Sequence, residues 1–377
     1  MKKIWTTPIF TLLFACTCSS SNSENKNDMP QPAESTALDW SAAADSSSRA
    51  LLNSFWDETE HYFWADNHGN KNFHYWPQAH ALDVLVDAYE RSGNDFYKAY
   101  FALWFDGVKK KNNNSWYNSY FDDMEWIALA LLRTYQATGE AKYKSAALEL
   151  WGYIQEGWND YAGGGIAWER DNNLWSKNAC SNGPACILAA RLYRETGDEV
   201  YRTWAFKIYE WEKSTLFNRN SGAVYDNING QTGSKNTSWI FTYNQGTFVG
   251  SAVELYKITG EKMYLNDAVL AANYTIANLV NDAILKNEGN GDGGLFKGIF
   301  VRYFAELIGQ KGLDSATKNR YLQFLQYNAE TLWTKGASKK DVLFGTFWRN
   351  KPGSQTGLTE QTSGCMLIEA MAKIGEP

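Results

Sequence analysis

A five-residue turn signal recurs along this chain and sets what it can fold into. It reads Tyr89-Glu-Arg-Ser-Gly93, Tyr135-Gln-Ala-Thr-Gly139, Tyr193-Arg-Glu-Thr-Gly197 and Tyr256-Lys-Ile-Thr-Gly260, with weaker copies ending at Gly309 and Gly375. Each Gly suits the left-handed residue that closes a helix. In the four clear copies an acidic residue or Asn follows, as expected where another helix opens. The copies lie roughly 45 to 65 residues apart, too unevenly for a tight solenoid but suited to helix pairs joined by variable loops.

Between these turns the sequence predicts twelve helices, near 45–58, 76–92, 95–109, 121–138, 141–156, 181–196, 198–216, 244–259, 261–282, 296–310, 315–334 and 358–374. Two kinds alternate. In 141–156, Tyr143, Ala147, Leu150, Trp151 and Ile154 share one face, the pattern of an outer helix. In 121–138 apolar residues run almost all round, as a buried inner helix requires. Six outer and six inner helices taken in turn make an all-α, (α/α)6 barrel. The 377 residues suit such a closed barrel, and the 44% hydrophobic content suffices for its core. The long connections, about 59–75, 110–120, 157–180, 217–243, 283–295 and 335–357, all precede inner helices. They therefore gather at one end, where a functional site is expected.

The N-terminus reads differently. Lys2 and Lys3 precede a short apolar run, Ile9 to Ala15, too short to span a bilayer. It ends in Leu13-Phe14-Ala15-Cys16, which resembles the lipobox of bacterial lipoproteins; the resemblance implies cleavage before Cys16 and lipidation of its thiol. A plain signal peptide is the alternative. Residues 1–15 are thus expected to be a lipoprotein signal, 16–38 a lipidated Cys and flexible tether, and 39–377 the barrel. Cys180, Cys186 and Cys365 remain in the body; export permits a Cys180–Cys186 disulfide, and two buried thiols are the other possibility. A net charge of −6 leaves no electrostatic footprint for nucleic acid. The 17 Trp offer flat apolar faces suited to sugar rings. No metal-ligand spacing occurs.

At the loop-bearing end the clearest candidate is Tyr120-Phe-Asp122-Asp123-Met-Glu125-Trp126, opening the second inner helix. Two carboxyls flanking a glycosidic bond can hydrolyse it, one attacking the anomeric carbon and the other serving as acid and then base. Neighbours within a helix point about 100° apart, yet at a first turn both can reach one cleft. The helix dipole favours an ionised nucleophile, and a charged neighbour raises the pKa of the second group. The same residues also read as an N-cap, Asp122, with Glu125 as its capping-box partner.

The stretch resembles glycoside hydrolase family 76, the endo-α-1,6-mannanases. Further segments extend the resemblance across most of the chain after the tether: Trp76 to Asp83, Gly163 to Ile166, Lys177 to Ala179, Thr242 to Thr247, Asp292 with Phe296 to Arg302, and Gln361 to Ser363. The resemblance implies an (α/α)6 barrel and a retaining endo-hydrolase of mannan, with Asp122 as nucleophile and Asp123 as acid/base. It implies no metal or organic cofactor. Trp76, His80, Gly164, Asn178, Tyr243, Asn244, Gln245 and Asp292 are the expected substrate contacts. Trp168, like Trp76, could stack on a mannose face. Several have a plainer reading: helix capping for Asn244 and Gln245, a satisfied inner-helix histidine for His80, partial core for Trp76 and Trp168, a flexible loop for Gly163 to Gly165, a turn for Asp292. Departures from the family pattern are Pro77, where an aromatic is expected, and the Cys-rich run Cys180 to Cys186. The expected partners are α-mannan or manno-oligosaccharides and, through the lipid, the bacterial outer membrane; a monomer is expected. Two other readings compete: a non-catalytic glycan-binding lipoprotein on the same barrel, and an epimerase or unsaturated-uronide hydrolase. An epimerase of this shape would use paired cleft histidines, and the chain has only His61, His68, His74 and His80.

Overall fold

The computed structural model describes residues 38–375. The expected signal segment and Cys16 lie outside the described residues. Twelve α-helices run in chain order: α1 Trp40–Phe55, α2 Tyr75–Ser92, α3 Asp95–Lys111, α4 Phe121–Thr138, α5 Ala141–Gln155, α6 Ala179–Thr196, α7 Glu199–Thr215, α8 Thr242–Thr259, α9 Lys262–Asn278, α10 Asp292–Ile308, α11 Ser315–Thr331 and α12 Leu358–Gly375. The even-numbered helices form the inner ring, each packed on the next, with α12 closing on α2. Outer helices back them: α3 on α2, α5 on α4, α7 on α6, α9 on α8, α11 on α12 and α10, and α1 on α12. This is the expected barrel.

The repeated turns have one construction. Gly93, Gly139, Gly197 and Gly260 are left-handed, and their amides donate to the carbonyls of Tyr89, Tyr135, Tyr193 and Tyr256. The hydroxyl before each Gly is part of it: Ser92, Thr138, Thr196 and Thr259 donate back to a carbonyl four residues earlier. Each also accepts from the amide two residues on, at 3.1–3.2 Å. Asn94 and Asp198 then cap α3 and α7 with their side chains, whereas Glu140 and Glu261 occupy the cap position without a side-chain bond. Gly309, taken as a weaker copy, is right-handed at φ −71° and does not share this turn.

Three element boundaries differ from expectation. Asp39 accepts from the Ala42 amide at 2.9 Å and starts α1 five residues before the predicted 45. α9 stops at Asn278, and the apolar residues after it form a small ribbon of β3 (Val280–Asn281) with β4 (Ile284–Leu285). α10 begins at Asp292, so Gly293 and Gly294 are helical rather than loop. They are glycines because a Cβ at Gly293 would lie 2.0 Å from the Glu288 carbonyl oxygen, and one at Gly294 2.8 Å from the Thr359 hydroxyl. The other ribbon, β1 (Ser176–Asn178) with β2 (Asn227–Asn229), joins the loops before α6 and α8. Numbered in chain order, β1 and β2 thus precede β3 and β4.

Cys180, Cys186 and Cys365 are buried free thiols. Six residues along α6 separate the first two by about 9 Å of helix rise, beyond disulfide reach. The end of the barrel away from the long loops is crossed by ion pairs among inner helices, which line a hollow of about 820 Å³ there. Arg133 of α4 reaches Asp83 at 2.8 Å and Asp87 at 2.7 Å on α2, and Arg302 of α10 reaches Asp87 at 2.8 Å. Arg191 of α6 pairs with Glu254 at 2.9 Å and Glu306 at 2.6 Å. The candidate catalytic pair, Asp122 and Asp123, lies at the opposite end, in the first turn of α4.

Candidate active site

The chain enters α4 through a clamp. The Phe121 amide donates to the Trp168 carbonyl at 3.0 Å and the Arg170 amide to the Ser119 carbonyl at 2.9 Å. The Phe121 side chain is fully buried, and the loop before α6 approaches it closely at Gly157, where a Cβ would lie 2.8 Å from its ring. This fixes the first turn. Tyr120 is the N-cap residue and makes no side-chain cap. The capping-box reading of Asp122 and Glu125 is therefore corrected: Asp122 lies inside the first turn, and Glu125 is turned into the core, fully buried, with neither carboxyl oxygen bonded among the described residues.

Asp122 and Asp123 both open into a cleft of about 960 Å³ at the loop-bearing end. One carboxyl oxygen of Asp122 is buried without a hydrogen-bond partner among the described residues. Burial, the largest influence, pushes Asp122 up to about 7. Asp123 is pushed well above the carboxylate range, by burial and then by the charges of Asp122 and Asp292. Two acids this close and this buried do not readily ionise together, so one can be charged while the other keeps its proton.

Of the other expected contacts, Trp76, Asn178, Tyr243 and Asp292 line the same cleft. The Trp76 indole donates to the Asp292 carboxylate at 3.1 Å, which holds the ring across the mouth between α2 and α10. Tyr243 stacks on Phe296 with ring centroids 4.0 Å apart and donates to Asp226 at 3.2 Å. Asn178 accepts from the Ser176 hydroxyl at 2.8 Å.

Four expected contacts stand away from the cleft surface. His80 is buried beneath Trp76 and Trp126, with centroids at 5.5 and 4.7 Å. Neither ring nitrogen finds a partner among the described residues, so it is not a satisfied histidine either, and burial holds it neutral by lowering its pKa. Gly164 is buried against aromatic rings: a Cβ there would lie 2.6 Å from the Trp158 ring. Asn244 and Gln245 are fully buried and do not cap α8, whose N-cap residue is Phe241. Asn244 donates to Asp226 at 2.9 Å and Gln245 to the Val224 carbonyl at 3.1 Å, so they tie the preceding loop to the helix.

The cleft also includes Cys180 and Trp168, which the sequence had raised as possible shapers of the site, and residues that sequence reasoning passed over, Asp226, Trp239 and Phe241. Cys180 faces the Asp122 carboxyl, and burial raises its thiol. Asp226 receives both Tyr243 and Asn244. Tyr120 and Trp168 meet at 5.0 Å on one wall, and Trp239 and Phe241 extend the other. The aromatic density of residues 239–243 was the available signal; Asp226 had none, because its partners come to it across a loop.

A barrel mouth with aromatic walls, amide and hydroxyl groups between them, and two adjacent acids at its floor is the arrangement of a glycan-processing enzyme. Comparison with known sequences and structures agrees. The model of glycosyl hydrolase family 76 matches residues 39–374, and the chain belongs to that family. The structure is similar to that of the GH76A alpha-1,6-mannanase from Salegentibacter sp. HEL1_6, with 44% identity, a TM-score of 0.87, and coverage of 89% of this chain and 100% of that one. A second structure of that mannanase, an inactive variant with two consecutive aspartates replaced by alanine, is a complex with alpha-1,6-mannotetrose and matches equally well, at a TM-score of 0.87. Mannan endo-1,6-alpha-mannosidase DCW1 of Saccharomyces cerevisiae is 31% identical over 190 residues, which is 45% of this chain and 40% of that protein. The chain thus spans less than half the length of that relative.

Proposed function

We propose that this chain hydrolyses α-1,6-mannosidic bonds within mannan, with retention of configuration at the anomeric carbon. The observation that carries the reading is the pair of adjacent acids in the first turn of α4, both opening into the cleft. Ionised Asp122 attacks the anomeric carbon while protonated Asp123 gives its proton to the departing glycosidic oxygen. A mannosyl ester on Asp122 results. Asp123, now a carboxylate, takes a proton from water as that water displaces Asp122. Both the nucleophile and the proton come from side chains, so these steps need no cofactor. The inactive Salegentibacter variant supports the assignment, since two consecutive aspartates were replaced there.

The open cleft, with stacking surfaces on both walls, suits a chain passing through rather than a blind-ended pocket for one terminal sugar. That supports endo action. Trp76, Tyr243, Asn178 and Asp292 are the proposed mannan contacts. We further infer export with lipid attachment at Cys16 to the outer membrane, a tether to residue 38, and a barrel from 39 to 377 that acts as a monomer. The lipobox-like Leu13 to Cys16 supports the attachment, and a ring completed within one chain supports the monomer.

Incubation with unbranched α-1,6-mannan tests the function. Short manno-oligosaccharides of mixed length are expected early. Mannose alone would contradict endo action; unchanged polymer, bound but uncut, would favour the glycan-binding reading.

A further inference from the structure

A second pocket of about 580 Å³ lies beside the cleft, within the size range of sites for small molecules. It is lined by the loops that lead into α2, α10 and α12. The two hollows share His74. The divide between them falls within two dipeptides: Trp76 and Asp292 face the cleft, while their neighbours Pro77 and Gly291 face the second pocket. The Trp76–Asp292 hydrogen bond is therefore the partition.

The pocket's outer wall is built rather than loose. The Leu358 amide donates to the Ala65 carbonyl at 2.9 Å, and the Asn67 amide to the Thr356 carbonyl at 3.2 Å. Gln355 donates to Asp66 at 2.7 Å, and the Thr356 amide to Asn67 at 2.8 Å. These bonds join two loops nearly three hundred residues apart in sequence. The pocket's acids are engaged: Asp66 accepts from Gln355 and from backbone amides, and Glu360 from Thr359. The side-chain amides of Asn72, Asn290 and Asn350, exposed at the pocket's rim, make no bond among the described residues and are open to a ligand. One half-buried aromatic, Phe347, stands among them. Free amides around one aromatic face suit a neutral polyhydroxyl ring; among the described lining residues Lys351 is the one lysine or arginine, too little to favour an anion.

We propose that this pocket binds a sugar unit carried as a side branch on the mannan chain held in the cleft. The inference rests on the mannanase reading. The main chain lies along the Asp122–Asp123 side of the partition, and a branch passes His74 into the second pocket.

The test compares branched and unbranched α-1,6-mannan of matched length, using wild type, Phe347→Ala and Asn350→Trp. Phe347→Ala removes the aromatic face, and Asn350→Trp fills the pocket from an exposed position that burdens folding little. Both are expected to raise KM on branched mannan about tenfold and to leave kinetics on the unbranched chain within about twofold of wild type. Equal KM for all three proteins on branched mannan would overturn the proposal. An equal rise on both polymers would also overturn it, because the occupant would then be the continuing main chain. Wild type inactive on both polymers would instead remove the mannanase reading beneath it.

Discussion

Asp122 and Asp123 are chemically identical side chains given different tasks by a few ångströms of surroundings. Burial raises both, and the charge of Asp122 adds to the effect on Asp123. The active form has Asp122 ionised and Asp123 protonated. Activity should therefore climb as pH rises through the Asp122 transition near 7 and fall once Asp123 loses its proton, a bell-shaped kcat/KM profile. Asp122→Asn and Asp123→Asn should each cut kcat on mannan by about 10³-fold or more while leaving thermal unfolding within a few degrees of wild type. Activity near wild type in either variant would take that residue out of its assigned role. The residue pair was visible in the sequence, but the balance between catalysis and capping was not, because it depends on where the backbone turns. The clamp from Trp168 and Arg170 moves the N-cap to Tyr120 and leaves both acids inside the helix.

Among the elements, the four Tyr-x-x-x-Gly turns were legible because their information is local: a left-handed Gly, a preceding hydroxyl and a following cap. The two ribbons were not legible, since β1 pairs with a strand some fifty residues away and neither segment alternates. Glycines misled at the start of α10, where they serve close packing. The same device recurs inside the ring. A Cβ at Gly246 of α8 would lie 2.6 Å from the Phe300 Cα of α10, and one at Gly298 of α10 2.7 Å from the Ser363 Cα of α12. Backbone meets backbone there, so no flexible side chain can yield. Gly246→Ala should destabilise the fold by about 1–3 kcal/mol, read as a lower urea midpoint with an unchanged slope. A midpoint equal to wild type would mean that α8 and α10 are looser than the structure has them.

At the scale of the molecule, the barrel separates its two ends by chemistry. One end gathers long loops, aromatic walls and two acids whose pKa values burial raises; the other gathers ion pairs. The alternation of amphipathic and all-round apolar helices made the barrel legible, and the position of the long loops told which end to search. The ionic cluster was not legible, because Asp83, Asp87, Arg133 and Arg302 come together only when the ring closes. Arg133 is bonded to both Asp83 and Asp87. Its guanidinium and that of Arg302 outweigh burial and hold Asp87 well below the usual carboxylate range. A carboxylate depressed in the folded state stabilises it above the unfolded pKa, and that stability is lost as pH falls toward the folded pKa. Arg133→Ala should cost about 3–5 kcal/mol at neutral pH, by leaving acids unpaired, and should lessen the stability lost between neutral and acid pH. A cost under about 1 kcal/mol would place this pair among exposed ones. What the other end does with its two acids is read most directly from the anomeric form of the first product. Proton NMR recorded within minutes of adding enzyme to unbranched α-1,6-mannan should show new reducing ends as the α anomer, with β appearing later by mutarotation. The β anomer appearing first would contradict a mannosyl ester on Asp122 and leave the pair acting on water by direct displacement.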